Sequence, residues 1–201
     1  MKFIDVDISS RCRLACPKCA RTILKKVKII DIDLSLIEKI CSISNPKILN
    51  MGGTMGDPIY HPKFHKILEI CNKSNSTYYI HTNGSGKTLD WWKKTFDLMK
   101  DDSHIYFSID GLEDTCGGYR VNFSSKDFYE VLEVLKLANN YKFKTYWVYT
   151  PFNFNEHQIV KAAKLAIENN IKFIVRKSSR WNSKDDKLRP MNSKLSVYVE
   201  Q

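Results

Sequence analysis

The sequence has no apolar run near the roughly 20 residues that a membrane-spanning helix needs, and it opens Met1-Lys2-Phe3-Ile4-Asp5 rather than with the basic-then-apolar order of a signal peptide. Both absences favour a soluble, cytoplasmic chain with no membrane partner. Acidic residues are in deficit: 22 Asp and Glu face 32 Lys and Arg, a net charge of +10. Seven basic residues lie between Arg176 and Lys194, opposed only by Asp185 and Asp186. Such a segment either attracts nucleic acid or an acidic peptide or is simply a lysine-rich, solvated surface. A disulfide framework is also missing. Three of the six cysteines fall within eight positions, and nothing marks the chain as secreted. Cys41 and Cys71 sit among apolar residues in expected helices, where they read as small hydrophobes. With 201 residues, 43% of them hydrophobic, the chain can bury one core without staples.

What is present is alternation. Strand patterns over 3–8, 47–51, 77–82, 104–110, 142–149 and 171–175 alternate with helical patterns over 34–43, 62–72, 89–99, 126–140 and 155–169. Leu89, Trp92, Phe96 and Met99 share one helix face, as do Phe128, Val131, Leu132 and Leu135; Asn155 and Gln158 fit a loose capping box ahead of Ile159, Ala162, Ala163 and Ala166. Six such units predict an α/β fold with a parallel sheet, either an open doubly wound sheet or a partial (β/α)6 barrel short of the usual eight. Both bind ligands at the C-terminal ends of their strands. Here those ends read Ser9-Ser10-Arg11-Cys12, Gly52-Gly53-Thr54, Asn83-Gly84, Asp110-Gly111 and Arg176-Lys177.

The sharpest signal is Cys12-Arg13-Leu14-Ala15-Cys16-Pro17-Lys18-Cys19, a C-x3-C-x2-C loop directly after the first strand. Three thiolates so placed can each bind one iron of a [4Fe–4S] cluster and leave the fourth iron open. Zinc is the competing metal, but its structural sites want four closed ligands and no Cys or His follows at finger spacing. This loop resembles that of the radical S-adenosylmethionine (SAM) superfamily, and the resemblance runs on to about Arg176. Gly52-Gly53-Thr54-Met55-Gly56-Asp57-Pro58 resembles the family's glycine-rich turn, His81-Thr82-Asn83-Gly84 its T-N-G, and Ser108-Ile109-Asp110-Gly111 its S-[IL]-D-G. Tyr119-Arg120 resembles an arginine found shortly after that motif in peptide- and protein-modifying members.

The resemblance implies a partial barrel over 1–176 with a basic extension over 177–201. It implies cluster ligation by Cys12, Cys16 and Cys19, and reductive cleavage of SAM to a 5′-deoxyadenosyl radical that abstracts hydrogen. It implies SAM contacts by Gly52, Gly53, Thr54, Asp57, Asn83, Ser108, Asp110, Arg120 and Arg176, with Ser108 and Arg120 on the SAM carboxylate. Thr54 stands where the family often has an acid, with Asp57 or a backbone carbonyl as its substitute, and Lys18 where it often has an aromatic. An electron donor such as flavodoxin or ferredoxin follows as a partner, and the substrate expected is a peptide or protein, with RNA second. A SAM- or nucleic-acid-binding module without turnover is the alternative, and an NTPase built on a P-loop-like turn is a third reading. Gly84-Ser85-Gly86-Lys87-Thr88 imitates a phosphate-binding loop, but the pattern needs glycine at position 81, where His81 stands.

Overall fold

The computed structural model describes residues 2–24, 27–43, 47–177, 186–192 and 199–200. Six parallel strands are joined by helices: β1 (Lys2–Asp5), β2 (Lys47–Met51), β3 (Ser76–Thr82), β4 (His104–Ser108), β5 (Lys144–Tyr149) and β6 (Lys172–Val175). The helices are α1 (Ala20–Ile23), α2 (Leu34–Ser42), α3 (Phe64–Asn72), α4 (Leu89–Asp97), α5 (Ser125–Ala138) and α6 (Ile159–Glu168). The sheet order is sequential from β1 to β6, and β7 (Val199–Glu200) adds to β6 in the antiparallel sense. That order decides between the two expected architectures. A doubly wound sheet reverses its order at a switch point; this sheet never does, as in a (β/α) barrel with too few units to close.

Strand alternation then divides the sheet into two faces. One carries Leu49, Met51, Tyr78, Ile80, Ile105, Phe107, Trp147, Tyr149, Phe173 and Val175, all buried in one continuous cluster beneath Ile37, Phe64, Ile67, Trp92, Phe96, Val131, Leu135, Ala162 and Ala166 of the helices. The other face carries Asn50, Tyr79, His81, His104, Tyr106, Ser108 and Tyr146, all only half-buried. Its rings stack across strands, Tyr79 on His104 at 4.2 Å and His81 on Tyr106 at 4.5 Å between centroids.

Several local expectations are corrected. β1 ends at Asp5, because its ladder runs only to Asp5 opposite Asn50 and the chain then turns to bridge Ser9 to Asp31. The strand expected over 104–110 ends at Ser108; Ile109 packs in the core and Asp110 reaches the strand-end cavity. Leu89 is exposed in the first turn of α4, while Trp92, Phe96 and Met99 are buried. The Asn155–Gln158 capping box does not form: Asn155 accepts from the Phe152 N–H at 2.6 Å, Gln158 accepts from the Leu112 N–H at 3.0 Å, and a 3-10 turn (Glu156–Gln158) precedes α6. The capping box is instead at Ser124 and Asp127, ahead of α5. Cys41 and Cys71 are buried on α2 and α3 with their sulfurs 3.9 Å apart, the small core residues expected of them.

Candidate functional site

The cysteine loop is pinched shut at its base. Ser10 N donates to Ile30 O at 2.8 Å, Ile32 N to Ile8 O at 2.9 Å and Ser9 Oγ to Asp31 Oδ1 at 2.7 Å. Two further ties seat the loop on the barrel rim: Arg13 pairs with Asp127 at 2.7 Å, and Ala15 N donates to Val121 O at 3.0 Å. None of the three cysteines is in a disulfide, and all are half-buried. The Cys12 thiol is pushed up to about 11, first by burial and then by the nearby Asp57 carboxylate. It is therefore protonated when empty, and a bound metal would have to displace its proton. Among the described residues no three His, Cys, Asp or Glu side chains gather closely enough to hold a single ion.

Asp57 is the hub of the neighbouring loops. Its Oδ2 accepts from Thr82 Oγ1 at 3.0 Å and Asn83 N at 2.7 Å, its Oδ1 from Ile59 N at 3.3 Å, and its own N–H donates to Arg11 O at 2.8 Å. One buried residue thus joins the loops after β1, β2 and β3, its carboxylate holding the third and its backbone N–H the first. Burial pushes its pKa up to about 6, against the pull of its hydrogen bonds. Gly56 makes the fit possible: a Cβ there would lie 2.2 Å from Ser9 O.

These loops enclose a cavity of about 310 Å³ at the C-terminal ends of the strands. The sequence-expected residues converge on it: Cys12, Cys16, Cys19, Gly52, Gly53, Asp57, Asn83, Ser108, Asp110, Arg120 and Arg176 all line its wall. Thr54 does not. It faces an adjoining pocket with Asp5, Asn50, His81 and Arg176, and its N–H donates to Asp7 at 2.8 Å. Asp57 lines the wall, but its carboxylate is taken up in joining the loops.

The two glycines of the turn differ. Gly53 has φ +65°, and an added Cβ would meet Gly56 O at 2.6 Å, so its glycine is demanded by the loop itself. At Gly52 an added Cβ would meet only Asn50 Nδ2, at 3.6 Å. Gly52 is therefore the position where bare backbone is open to a ligand. Arg120 is half-buried with its Nε 2.8 Å from the buried Asp110 Oδ2, and Asp110 Oδ1 accepts from Thr150 N at 2.9 Å. That Nε has no well-aimed hydrogen bond. A guanidinium at the cavity wall beside an open backbone stretch is shaped for a carboxylate.

A profile of the radical SAM superfamily matches residues 6–166. The chain belongs to the radical SAM superfamily. A relative in Pyrococcus furiosus, named a tungsten-containing aldehyde ferredoxin oxidoreductase cofactor-modifying protein, is 31% identical over 116 residues, covering 56% of this chain and 32% of that protein. The native structure of anSMEcpe with bound AdoMet superposes with a TM-score of 0.70 at 19% identity over 93% of this chain and 55% of that one. Streptococcus suis SuiB bound to S-adenosylmethionine gives 0.70 at 16% identity, over 94% and 43%. TYW1 with a lysine-pyruvate adduct gives 0.69 at 17%, over 93% and 68%. At these identities the superpositions establish the shared radical SAM fold. The chain spans about a third of its curated relative and about half of the first two structures.

Sequence reasoning passed over three parts of the wall. His81 lines both pockets and its Nε2–H donates to Asn50 Oδ1 at 2.9 Å, whose amide donates to Asp5 at 2.7 Å. Burial and Arg176 hold the ring at about 4, so it is neutral at physiological pH. Tyr119 and Phe152 stack at 4.6 Å behind the cavity, and Thr150 closes it. The strand-end rule that singled out Asp110 and Arg176 would also have found Thr150 and Phe152, which directly follow β5.

The phosphate-loop imitation has another use here. Thr88 accepts from Trp91 N at 3.2 Å and caps α4, and the Lys87 ammonium lies over the Tyr60 and Trp91 rings at 5.1 and 4.9 Å. No helix among the described residues is long and apolar enough to cross a membrane. Of the C-terminal segment, Arg176 lies at the cavity, while Arg180 and Lys184 fall outside the described residues. Asp186 pairs with Lys18 of the cysteine loop, and Met191 N and Asn192 N donate to Glu156 at 2.9 and 3.0 Å, so residues 186–192 lie at the barrel mouth.

Proposed function

We propose that this chain is a radical SAM enzyme in which Cys12, Cys16 and Cys19 hold a [4Fe–4S] cluster and the adjoining cavity binds SAM. The observation that carries the proposal is the convergence of the three cysteines, the open backbone at Gly52 and the Arg120 guanidinium on one wall. When bound, the cluster supplies the single electron that cleaves SAM to methionine and a 5′-deoxyadenosyl radical able to take hydrogen from an unactivated carbon. The chain's own part is placement. Arg120 and Ser108 would take the SAM carboxylate, with Asp110 holding Arg120 in position. Gly52 would let the methionine moiety approach backbone. Asp57, by joining three loops, would fix the distance between the thiols and that turn. Helices covering one sheet face, and the stacked rings on the other, would keep the reactive centre from open water.

A peptide or protein is the substrate class we favour. Fold relatives include anSMEcpe with bound AdoMet and the Cp18Cys peptide, and SuiB bound to the precursor peptide SuiA, at TM-scores of 0.68 and 0.64. RNA is the second choice, and the basic segment after β6 supports either an acidic or a phosphate-bearing substrate. A SAM-binding module without turnover is favoured by one observation, Thr54 where the family often carries an acid. Anaerobic reconstitution followed by dithionite and SAM separates the readings. The enzyme yields 5′-deoxyadenosine and methionine; the module binds SAM and yields neither.

A further inference from the structure

Two of the three cysteines outside the cluster loop face each other. Cys41 is the last but one residue of α2 and Cys71 the last but one of α3, and their sulfurs lie 3.9 Å apart. Neither lines the cavity assigned above to SAM. Their place in the core explains their size and burial, but not what surrounds them.

The carbonyls that end a helix carry partial negative charge and would repel a thiolate. Here both helix ends are covered by ammonium groups. Lys47, only 2% exposed, donates through Nζ to Cys41 O at 3.2 Å and Ile43 O at 2.7 Å. Lys100, half-buried, donates through Nζ to Cys71 O at 3.3 Å, Ser74 O at 2.7 Å and Ser76 O at 2.8 Å. Neither lysine is ion-paired with a carboxylate among the described residues. Two positive charges without an anionic partner thus stand beside two thiols. The contact between the sulfurs, aided by Lys47, holds the Cys41 thiol below its ordinary range, while the same contact and burial push the Cys71 thiol up. An electropositive setting of this kind makes a thiol nucleophilic. Cys116 is the contrast. It is as deeply buried, its sulfur lies 3.7 Å from Glu113 O rather than against a second thiol, and burial pushes its pKa up to about 11.

We propose that Cys41 and Cys71 form a dithiol modification site that hydrogen peroxide oxidises to a disulfide. Cys41 is 8% exposed and Cys71 0%, so Cys41 meets the oxidant, and only a small one fits such burial. The Cys41 thiolate attacks one oxygen of the peroxide and breaks the O–O bond. Its sulfur becomes a sulfenic acid, and the other oxygen leaves as water with the proton the thiol gave up. Cys71 then attacks that sulfur, forms the S–S bond and releases the sulfenic oxygen as a second water. Two thiols lose two electrons and two protons, and one peroxide becomes two waters. The bond ties α2, which follows the cysteine loop, to α3, which follows the Asp57 turn. The proposal does not depend on the SAM reading.

The test exposes the reduced full chain to excess hydrogen peroxide over a time course. Remaining thiols are blocked with iodoacetamide in denaturant, and tryptic peptides are mapped by mass spectrometry. Cys41 and Cys71 fall on peptides 40–47 and 67–73, and the loop cysteines and Cys116 on others. Expected is a disulfide-linked pair of 40–47 and 67–73, formed about tenfold faster than Cys116 is oxidised. Cys71→Ala should still lose its blockable Cys41 thiol to peroxide, whereas Cys41→Ala should keep Cys71 reduced. Cys41 and Cys71 still blockable when Cys116 has been oxidised would overturn the proposal. So would Cys41 linked to Cys12, Cys16 or Cys19 in place of Cys71. Both outcomes are read on the wild-type chain and need no variant to fold.

Discussion

The two faces of the sheet obey different rules. Phe107 and Tyr106 are neighbours on β4, yet Phe107 is wholly buried against Trp92 at 5.1 Å while Tyr106 lies half-open on the concave face, stacked on His81 and Tyr146. A closed eight-unit barrel fills its interior with branched aliphatics. Six strands cannot close, so the inner face keeps an opening, and it carries rings with polar edges, an amide and an arginine instead. Apolar area determines one face; the chemistry of a site determines the other.

The largest expected effect tests that contrast directly. Phe107→Ala should cost about 3–5 kcal/mol in denaturant unfolding, and Tyr106→Ala, one residue away, only about 1–2 kcal/mol. Equal costs would mean that the inner face is also packed core.

Next come two opposed pH dependences in the site. Asp57 has its folded constant raised from 3.8 to about 6. Its contribution is fully present below about pH 4 and lost as the pH rises through about 6, on the order of 2 kcal/mol. His81 has its constant lowered from 6.5 to about 4, so its contribution is present above pH 6.5 and lost as the pH falls through about 4. Stability measured from pH 4 to 7 should change slope in opposite directions in Asp57→Asn and His81→Gln. Slopes that move together, or not at all, would remove one of the two groups from the account.

A smaller effect separates the two glycines. Gly52→Val should fold within about 1 kcal/mol of wild type yet weaken SAM binding about tenfold by titration calorimetry. Gly53→Val should lose stability as well, because its clash is with Gly56 O. The smallest effect belongs to the exposed Lys187. Lys187→Gln should lower substrate capture by less than about threefold, and only at low salt.

Much of this was legible in the sequence because the signals were local. The cysteine spacing, the strand-end glycines and the alternation of periods each need only a few consecutive residues, and the strand-end rule gathers distant ones onto one edge. What escaped notice is nonlocal. The joining role of Asp57 depends on Thr82, Asn83 and Arg11, 25 or more positions away. Gln158, expected to cap its own helix, is taken instead by Leu112 and Thr115. The difference between Gly52 and Gly53 lies in where Gly56 O happens to fall, which no spacing reveals. The neutral His81 follows from burial and from Arg176 across the sheet, again a matter of packing.

The central claim is that Cys12, Cys16 and Cys19 arm the cavity beside them for reductive SAM cleavage. Its most direct test is single-turnover product analysis of the anaerobically reconstituted protein with dithionite and SAM, alongside Cys12→Ala, Cys16→Ala, Cys19→Ala and the buried-core control Cys71→Ala. The account predicts about four irons, with 5′-deoxyadenosine and methionine in equal amounts, from wild type and Cys71→Ala, and neither cluster nor products from the other three. A tightly held zinc ion in the same loop, or full cluster loading with bound SAM left intact, would contradict it.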